Sequence, residues 1–264
     1  MEIKAGIRRN FARRAASYDR HAGTQRFMAQ GLLALAGSDI ARAGRILEIG
    51  CGTGYLTQLL RQLNAGAALV ALDLDEALVA TARRRLGAGS GVTWLVADGE
   101  ALGPGSFDLI IANAAFQWLT RPGATLAAYS RSLKTGGALA FSTLGPRTFA
   151  ELAASLKEAA NALHRPGALS IPAQGFLDQE GWSVMLSQAG FREIRLQQES
   201  VTATFPSVRH FLKALQATGA TNPRPRFFSP RLLRAMAEAY RQNFGRNGGV
   251  PATYEIIWAL ARKE

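Results

Sequence analysis

Cysteine occurs once in the 264 residues, as Cys51. With no second thiol the chain can form no internal disulfide and no thiolate zinc or redox cluster, so a reducing, cytoplasmic setting is expected. Histidine is scarce as well: His21, His164 and His210 are scattered along the chain. They offer little general-base chemistry, and no metal site is expected. No apolar run approaches the 18 residues of a membrane-spanning helix, so neither a span nor a membrane partner is expected. The opening MEIKAGIRRNFARRAASYDR has charges where a secretory signal needs its apolar stretch, and reads as mature protein. An apolar content of 48% with 19% charged residues argues against a disordered chain, a collagen-like fibre or a coiled coil. The length allows one large α/β domain with appendages or two small domains, with a sizeable core in either case.

Acids are the minority charge, 19 against 31 Lys+Arg, for a net +12. The excess is localised. Residues 1–44 carry +5 and residues 206–249 carry +7, whereas residues 45–205 and 250–264 are each neutral. A neutral scaffold with two basic appendages is the pattern of a protein that steers an anionic partner.

Ile7, Phe11, Ala15 and Tyr18 recur at helical spacing, so the N-terminal arm is predicted to form a helix with one apolar stripe. A second helical stretch, 25–36, is predicted to stop at Gly37. Short buried strands are then predicted at 45–49, 69–73, 93–97, 107–113 and 138–143, with helices at 55–63, 76–86 and 123–133 between them. This alternation implies a largely parallel sheet covered on both faces. Helices follow at 148–162 and 179–189, then a long strand at 192–205 and a last strand at 253–261. The basic block 206–249, with helices at 208–218 and 230–240, is inserted between these two strands. The expected organisation is an arm (1–44), a core (45–205 and 250–264) and a cap (206–249).

Strand 45–49 runs into Gly50-Cys51-Gly52-Thr53-Gly54 and then an apolar helix. The glycines permit a tight turn and let a ligand approach bare backbone. A dinucleotide fingerprint would need glycine at 55 or 57, where Tyr55 and Thr57 stand. Glu48, two residues before the loop, would repel a pyrophosphate and suits a ligand with an ammonium and a sulfonium. Asp73 ends the next strand, where a carboxylate can accept both hydrogen bonds of a ribose diol. Asp98 and Asn113 close the third and fourth strands at the same edge, so four polar strand ends converge on one crevice.

This constellation resembles the class I methyltransferases that use S-adenosylmethionine, whose loop has the E/D-x-G-x-G-x-G form of residues 48–54. The resemblance implies a doubly wound, Rossmann-like α/β sheet. It implies a cofactor set of Tyr18, Gln25, Glu48, Gly50, Cys51, Gly52, Gly54, Asp73 with Leu74, Asp98 with Gly99, and Asn113. Within that set the methionine moiety lies along Gly50 to Gly54, the ribose at Asp73 and the adenine at Asp98. Cys51 reads as a small packing residue rather than a nucleophile. After the fourth strand the run Asn113-Ala114-Ala115-Phe116-Gln117-Trp118 lacks the Asn-Pro-Pro-Tyr/Phe motif, which disfavours methylation of nucleobase amino groups.

Further stretches resemble the malonyl-acyl-carrier-protein O-methyltransferases of biotin synthesis. They are Phe11-Ala12-Arg13-Arg14-Ala15-Ala16-Ser17-Tyr18-Asp19 with Ala22 and Gln25, the 113–118 run, and Phe141-Ser142-Thr143-Leu144-Gly145-Pro146. Phe211-Leu212-Lys213, Gly219-Ala220-Thr221-Asn222 and Thr253-Tyr254-Glu255 complete the set. The resemblance implies esterification of the free carboxylate of a malonyl group held on an acidic acyl carrier protein, by a monomer. Arg147, just after the fifth strand, is the candidate clamp for that carboxylate. Tyr18, Gln25 and Trp118 are candidates for closing over cofactor and acyl group. Arg224, Arg226, Arg231 and Arg234 are candidates for docking the carrier protein. Methylation of a small free acid or a quinone precursor, and a nucleic-acid role for the basic appendages, are the alternative readings.

Overall fold

The computed structural model describes residues 22–164, 170–217, 229–246 and 248–264. Helix α1 (Gly23–Arg42) leads into β1 (Arg45–Ile49), α2 (Tyr55–Leu63), β2 (Ala68–Asp73), α3 (Glu76–Leu86) and β3 (Val92–Val96). Next come β4 (Phe107–Asn113), α4 (Pro122–Ser132), β5 (Leu133–Leu144), α5 (Ala150–Ala162) and α6 (Gln179–Gln188). The chain closes with β6 (Phe191–Phe205), α7 (Val208–Ala217), α8 (Pro230–Phe244) and β7 (Val250–Lys263). The strands form one sheet in the order β3-β2-β1-β4-β5-β7-β6. Neighbours among β1 to β5 are parallel, and β7 runs antiparallel to both β5 and β6. This is the expected doubly wound architecture. Strand order reverses between β1 and β4, which opens a crevice at their carboxyl ends.

The two-residue period of the strands decides which core each side chain joins. Ile46, Leu109, Ile111 and Trp258 face one side and pack with Leu32 and Ile40 of α1 and Leu60 of α2. Leu47, Ile110 and Phe141 face the other side and pack with Leu126 and Tyr129 of α4 and Trp182 of α6. Phe141 stacks on Phe116 at 4.1 Å and meets Trp182 edge-on at 5.0 Å. A third core sits beyond the sheet edge, where Phe149, Phe211, Met236 and Tyr240 of the α5, α7 and α8 region cover Val250 and Ala252.

Three expectations need correction. Gly37 does not stop the first helix, which runs to Arg42. A mid-helix glycine costs about 1 kcal/mol, and the added turn buries Ile40 and brings Asp39 within 2.8 Å of Arg262 on β7. Strand β5 starts at Leu133 rather than 138: Leu133 pairs with Phe107, and a bulge carries the chain to Ala138 opposite Leu109. The polar, glycine-containing Lys134 to Gly137 hides that bulge in a sequence reading. Strand β7 spans 14 residues instead of nine, because its first six pair with β6 alone and are covered by the third core. The predicted arm helix at 7–18 lies outside the described residues, as does Thr218. Among the described residues no helix is long and apolar enough to cross a membrane, and no cluster of three metal-ligating side chains occurs.

Candidate active site

The loop after β1 is fixed by backbone bonds on both sides. Cys51 N–H donates to the Leu72 carbonyl at 2.9 Å, Gly54 N–H to that of Cys51 at 2.9 Å, and Gly52 N–H to Asp73 Oδ2 at 2.9 Å. Gly54 has φ +84° at the start of α2, and a Cβ there would lie 2.9 Å from Ala82 Cβ and 3.1 Å from Ala82 Cα. The loop therefore rests directly on α3. At Gly52, with φ +54°, a Cβ would meet nothing within 4 Å, because this residue borders both cavities that flank the loop.

The first cavity, of about 60 Å³, lies between the loop and α1 and is lined by Gln25, Arg26, Glu48, Cys51, Arg85 and Asn113 among others. Glu48 is 1% exposed, and its Oε2 has no hydrogen-bond partner among the described residues. The same holds for Gln25 Oε1. Burial pushes the Glu48 carboxyl up to about 8, with Asp73 adding to the shift and Thr57 opposing it. Burial first, then Glu48 and Asp73, raise the Cys51 thiol, so it is a packing group with no thiolate character. Two buried acceptors without donors next to two arginines match the ammonium and carboxylate ends of an α-amino acid. Asn113 holds this wall together: its Nδ2 donates to the Gln25 carbonyl at 3.0 Å, and its Oδ1 accepts from Ser142 Oγ at 2.6 Å.

The second cavity, of about 160 Å³, shares Gly50, Gly52 and Asn113 with the first and continues over β2 and β3. Asp73 lines it with both carboxylate oxygens already oriented, Oδ2 by Gly52 N–H and Oδ1 by Asp75 N–H at 3.0 Å. Burial raises the Asp73 carboxyl while these two N–H groups oppose the rise. Each oxygen retains further acceptor capacity, and the two N–H bonds hold the carboxylate in one orientation. Asp98 accepts from Glu100 N–H at 3.0 Å and starts a short 3₁₀ turn (Gly99–Ala101). Gly99 forms the floor, where a Cβ would come within 2.7 Å of Ile49 Cγ2, and its carbonyl accepts from Tyr129 Oη at 3.1 Å. Leu74, Leu78, Phe116 and Leu119 supply apolar walls, and Trp118 stands at the rim edge-on to Phe176 at 6.1 Å.

The strand-end residues expected in one crevice thus meet around the two adjoining cavities, Glu48 and Gln25 in one, Asp73, Leu74, Asp98 and Gly99 in the other. Arg147 does not line either cavity. Its Nε bonds Glu255 Oε1 at 2.7 Å and its N–H bonds Oε2 at 2.7 Å, with the Arg147 side chain 68% exposed and that of Glu255 2% exposed. The Nε and the backbone N–H of Arg147 are thus both engaged by Glu255. Arg231 and Arg234 are exposed on α8. Tyr18, Arg224 and Arg226 lie outside the described residues. Sequence reasoning did not single out Arg26 or Arg85, and it named Glu255 within a resembling stretch without a role. Arg26 adjoins Gln25 and could have been noted; Arg85 is one of three consecutive arginines, with nothing in their spacing to single it out.

The chain matches the methyltransferase-domain family over residues 47–141. It is 39% identical to a malonyl-[acyl-carrier protein] O-methyltransferase of Paenibacillus sp. over 97% of both chains. It is 32% identical to the protein of that name from Geobacter sulfurreducens, over 97% of this chain and 98% of the relative. Among solved structures it is similar to the N-methyltransferase NodS from Bradyrhizobium japonicum in complex with S-adenosylhomocysteine, with TM-score 0.56, 16% identity and 98% of each chain covered. It is also similar to the YcgJ protein of Bacillus subtilis, with TM-score 0.61, 15% identity, and 89% of this chain and 98% of that one covered.

Proposed function

The chain belongs to the malonyl-[acyl-carrier protein] O-methyltransferase family, and from that premise we propose that it methylates the free carboxylate of a malonyl group carried on acyl carrier protein, using S-adenosylmethionine. The observation that carries this reading is the reach of the likeness, which extends past the cofactor-binding half into β6, β7 and the helices between them. The fold by itself hosts many acceptors.

When bound, S-adenosylmethionine supplies a methyl group on a sulfonium, open to in-line displacement. The unpartnered Glu48 Oε2 and Gln25 Oε1 fit its ammonium, and Arg26 and Arg85 fit its carboxylate. Gly50 to Gly54 carry the methionine chain, Asp73 accepts from the ribose, and Leu74, Asp98 and Gly99 border the adenine. A malonyl carboxylate is already an anion, so the chain's residues need not remove a proton. Their work is to orient the carboxylate oxygen and strip it of water, and no histidine lines either cavity among the described residues. Trp118 at the rim and Tyr18 in the arm are proposed to close over the acyl group. The enzyme is proposed to act as a cytoplasmic monomer, early in the pimeloyl branch of biotin synthesis.

Arg147 is retained as the proposed clamp, with its Nη pair gripping the carboxylate while Glu255 holds Nε. Arg147→Ala is then expected to raise KM for the malonyl substrate roughly 10- to 100-fold, the worth of a charge-assisted pair, while affinity for S-adenosylhomocysteine is unchanged. An unaltered KM in steady-state kinetics would reduce Arg147 to a partner of Glu255.

The reaction itself is tested by intact-mass spectrometry of malonyl-acyl carrier protein incubated with the protein and S-adenosylmethionine, with acetyl-acyl carrier protein as control. One esterase-sensitive methyl group on the malonyl form alone is expected. No gain, with S-adenosylhomocysteine binding seen by calorimetry, would keep the methyltransferase and discard the carrier-protein substrate.

A further inference from the structure

At the outer end of the β6–β7 ribbon lies a groove of about 620 Å³, formed by the start of α7, one face of α8 and residues 245–246 and 248–250. Arg209, Arg234, Arg241 and Arg246 line it, with Glu238 as the one acid among the described residues there. Glu238 is taken by Arg241 at 2.6 Å. Arg209, Arg234 and Arg246 are exposed and have no acid partner among the described residues. Three like charges held around one concavity repel one another unless an anion is brought between them. We infer that this groove is the docking site for an acidic protein surface, that of the carrier protein; the inference rests on the malonyl-carrier reading above and gives it a location.

The position of the groove supports a tethered substrate. Leu144, the last residue of β5, pairs with Ile256, and six further residues of β7, Val250 to Glu255, pair with β6 alone. At about 3.4 Å per residue this overhang carries the groove roughly 20 Å beyond the end of β5. The overhang projects from the same sheet edge as the two cavities. A small free acid would gain nothing from a cationic groove so far from the methyl-transfer site. A malonyl group at the tip of a long flexible thioester arm needs two footholds, one for the carboxylate and one for the protein that bears the arm. The basic lining among the described residues is also arginine throughout, without lysine, which suits paired bonds to carboxylates. Among the described residues no aromatic side chain lines it, so the stacking platform of a single-stranded nucleic-acid site is missing there.

The test is the full-length triple variant Arg209→Glu/Arg234→Glu/Arg246→Glu, assayed with malonyl-acyl carrier protein and with malonyl-pantetheine. Its KM for the carrier-bound substrate is expected to rise roughly 10- to 100-fold, with kcat at saturation, KM for malonyl-pantetheine and S-adenosylhomocysteine affinity unchanged. In the unaltered protein added salt is expected to raise the first KM and spare the second, a readout that stands even if the triple variant folds poorly. An unchanged KM in a folded variant, while the parent methylates the carrier-bound substrate, overturns the groove as docking site. So does a variant that loses binding only to single-stranded RNA or to phosphatidylserine vesicles. A parent that binds S-adenosylhomocysteine and fails to methylate the carrier-bound malonyl group fails the underlying reading instead, and the docking site with it.

Discussion

Affinity for S-adenosylhomocysteine is expected to rise about tenfold per unit as the pH approaches 8 from below, then level off. The cause is Glu48. Burial holds its carboxyl at about 8, and a neutral acid has little to offer an ammonium. Below that pH, binding must first remove a proton from Glu48; above it, the carboxylate is already formed. The same group makes the ligand-free protein less stable as the pH rises. Between the ordinary 4.5 and about 8 the unfolded chain has released the proton that the folded chain retains, so stability falls through this window by up to about 1.4 kcal/mol per unit. Asp73, also raised, acts in the same direction. Above about 8 the Glu48 contribution is flat. Glu48→Gln preserves the volume and removes the charge, so it is expected to abolish the Glu48 part of the slope and, above about pH 8, weaken binding by about 2–3 kcal/mol, roughly 30- to 150-fold. Calorimetric titration from pH 6 to 9 on both proteins measures this. A parent and variant with the same pH profile would mean that Glu48 does not face the ammonium.

Why Glu48 stands out in the sequence and Glu255 does not is a matter of distance along the chain. Glu48, Gly50, Gly52 and Gly54 occupy one strand end and one turn, so their arrangement follows from local geometry, and Asp73 and Asn113 follow once the sheet is taken as parallel. Strand β4 and helices α2 and α3 are bounded by loops with clear turn residues, and their ends are legible for that reason. Glu255 acquires its role from Arg147, 108 residues away, and from Gln198 on β6, whose Nε2 donates to it at 2.9 Å. Neither pairing can be seen until the register of β5, β6 and β7 is known. The overhang of that ribbon is equally hidden, since it depends on three helices covering strands that no neighbouring β5 supports. Arg85 depends on a helix-to-loop contact, set where Gly54 meets Ala82, that selects one arginine of three. At Gly37 local preference was overridden by the Asp39–Arg262 pair, which joins the first helix to the last strand.

The two alanine substitutions Gly52→Ala and Gly54→Ala add the same methyl group to the same loop and are expected to fail in opposite ways. Both residues have positive φ, so each substitution carries a backbone cost of about 1 kcal/mol. At Gly54 the new Cβ also meets Ala82 Cβ at 2.9 Å and Ala82 Cα at 3.1 Å. The second of these is backbone and cannot swing aside. Overpacking there adds about 1–3 kcal/mol, for a total of about 2–4 kcal/mol and a drop in melting temperature of roughly 5–10 °C. At Gly52 the methyl meets no protein atom within 4 Å, so thermal stability is expected to change little beyond the backbone cost. It stands instead in the space shared by the two cavities, where the methionine chain is proposed to cross. S-adenosylhomocysteine binding is expected to weaken roughly 10- to 100-fold, by the same steric cost now charged to the ligand. A melting curve and a calorimetric titration on each variant separate the two effects. If Gly52→Ala binds the ligand as the parent does, the cofactor does not pass over Gly52 and the join between the cavities is not its path. If Gly54→Ala melts with the parent, the loop is free to lift from α3, and the fixed loop geometry invoked for Asp73 and Glu48 does not hold.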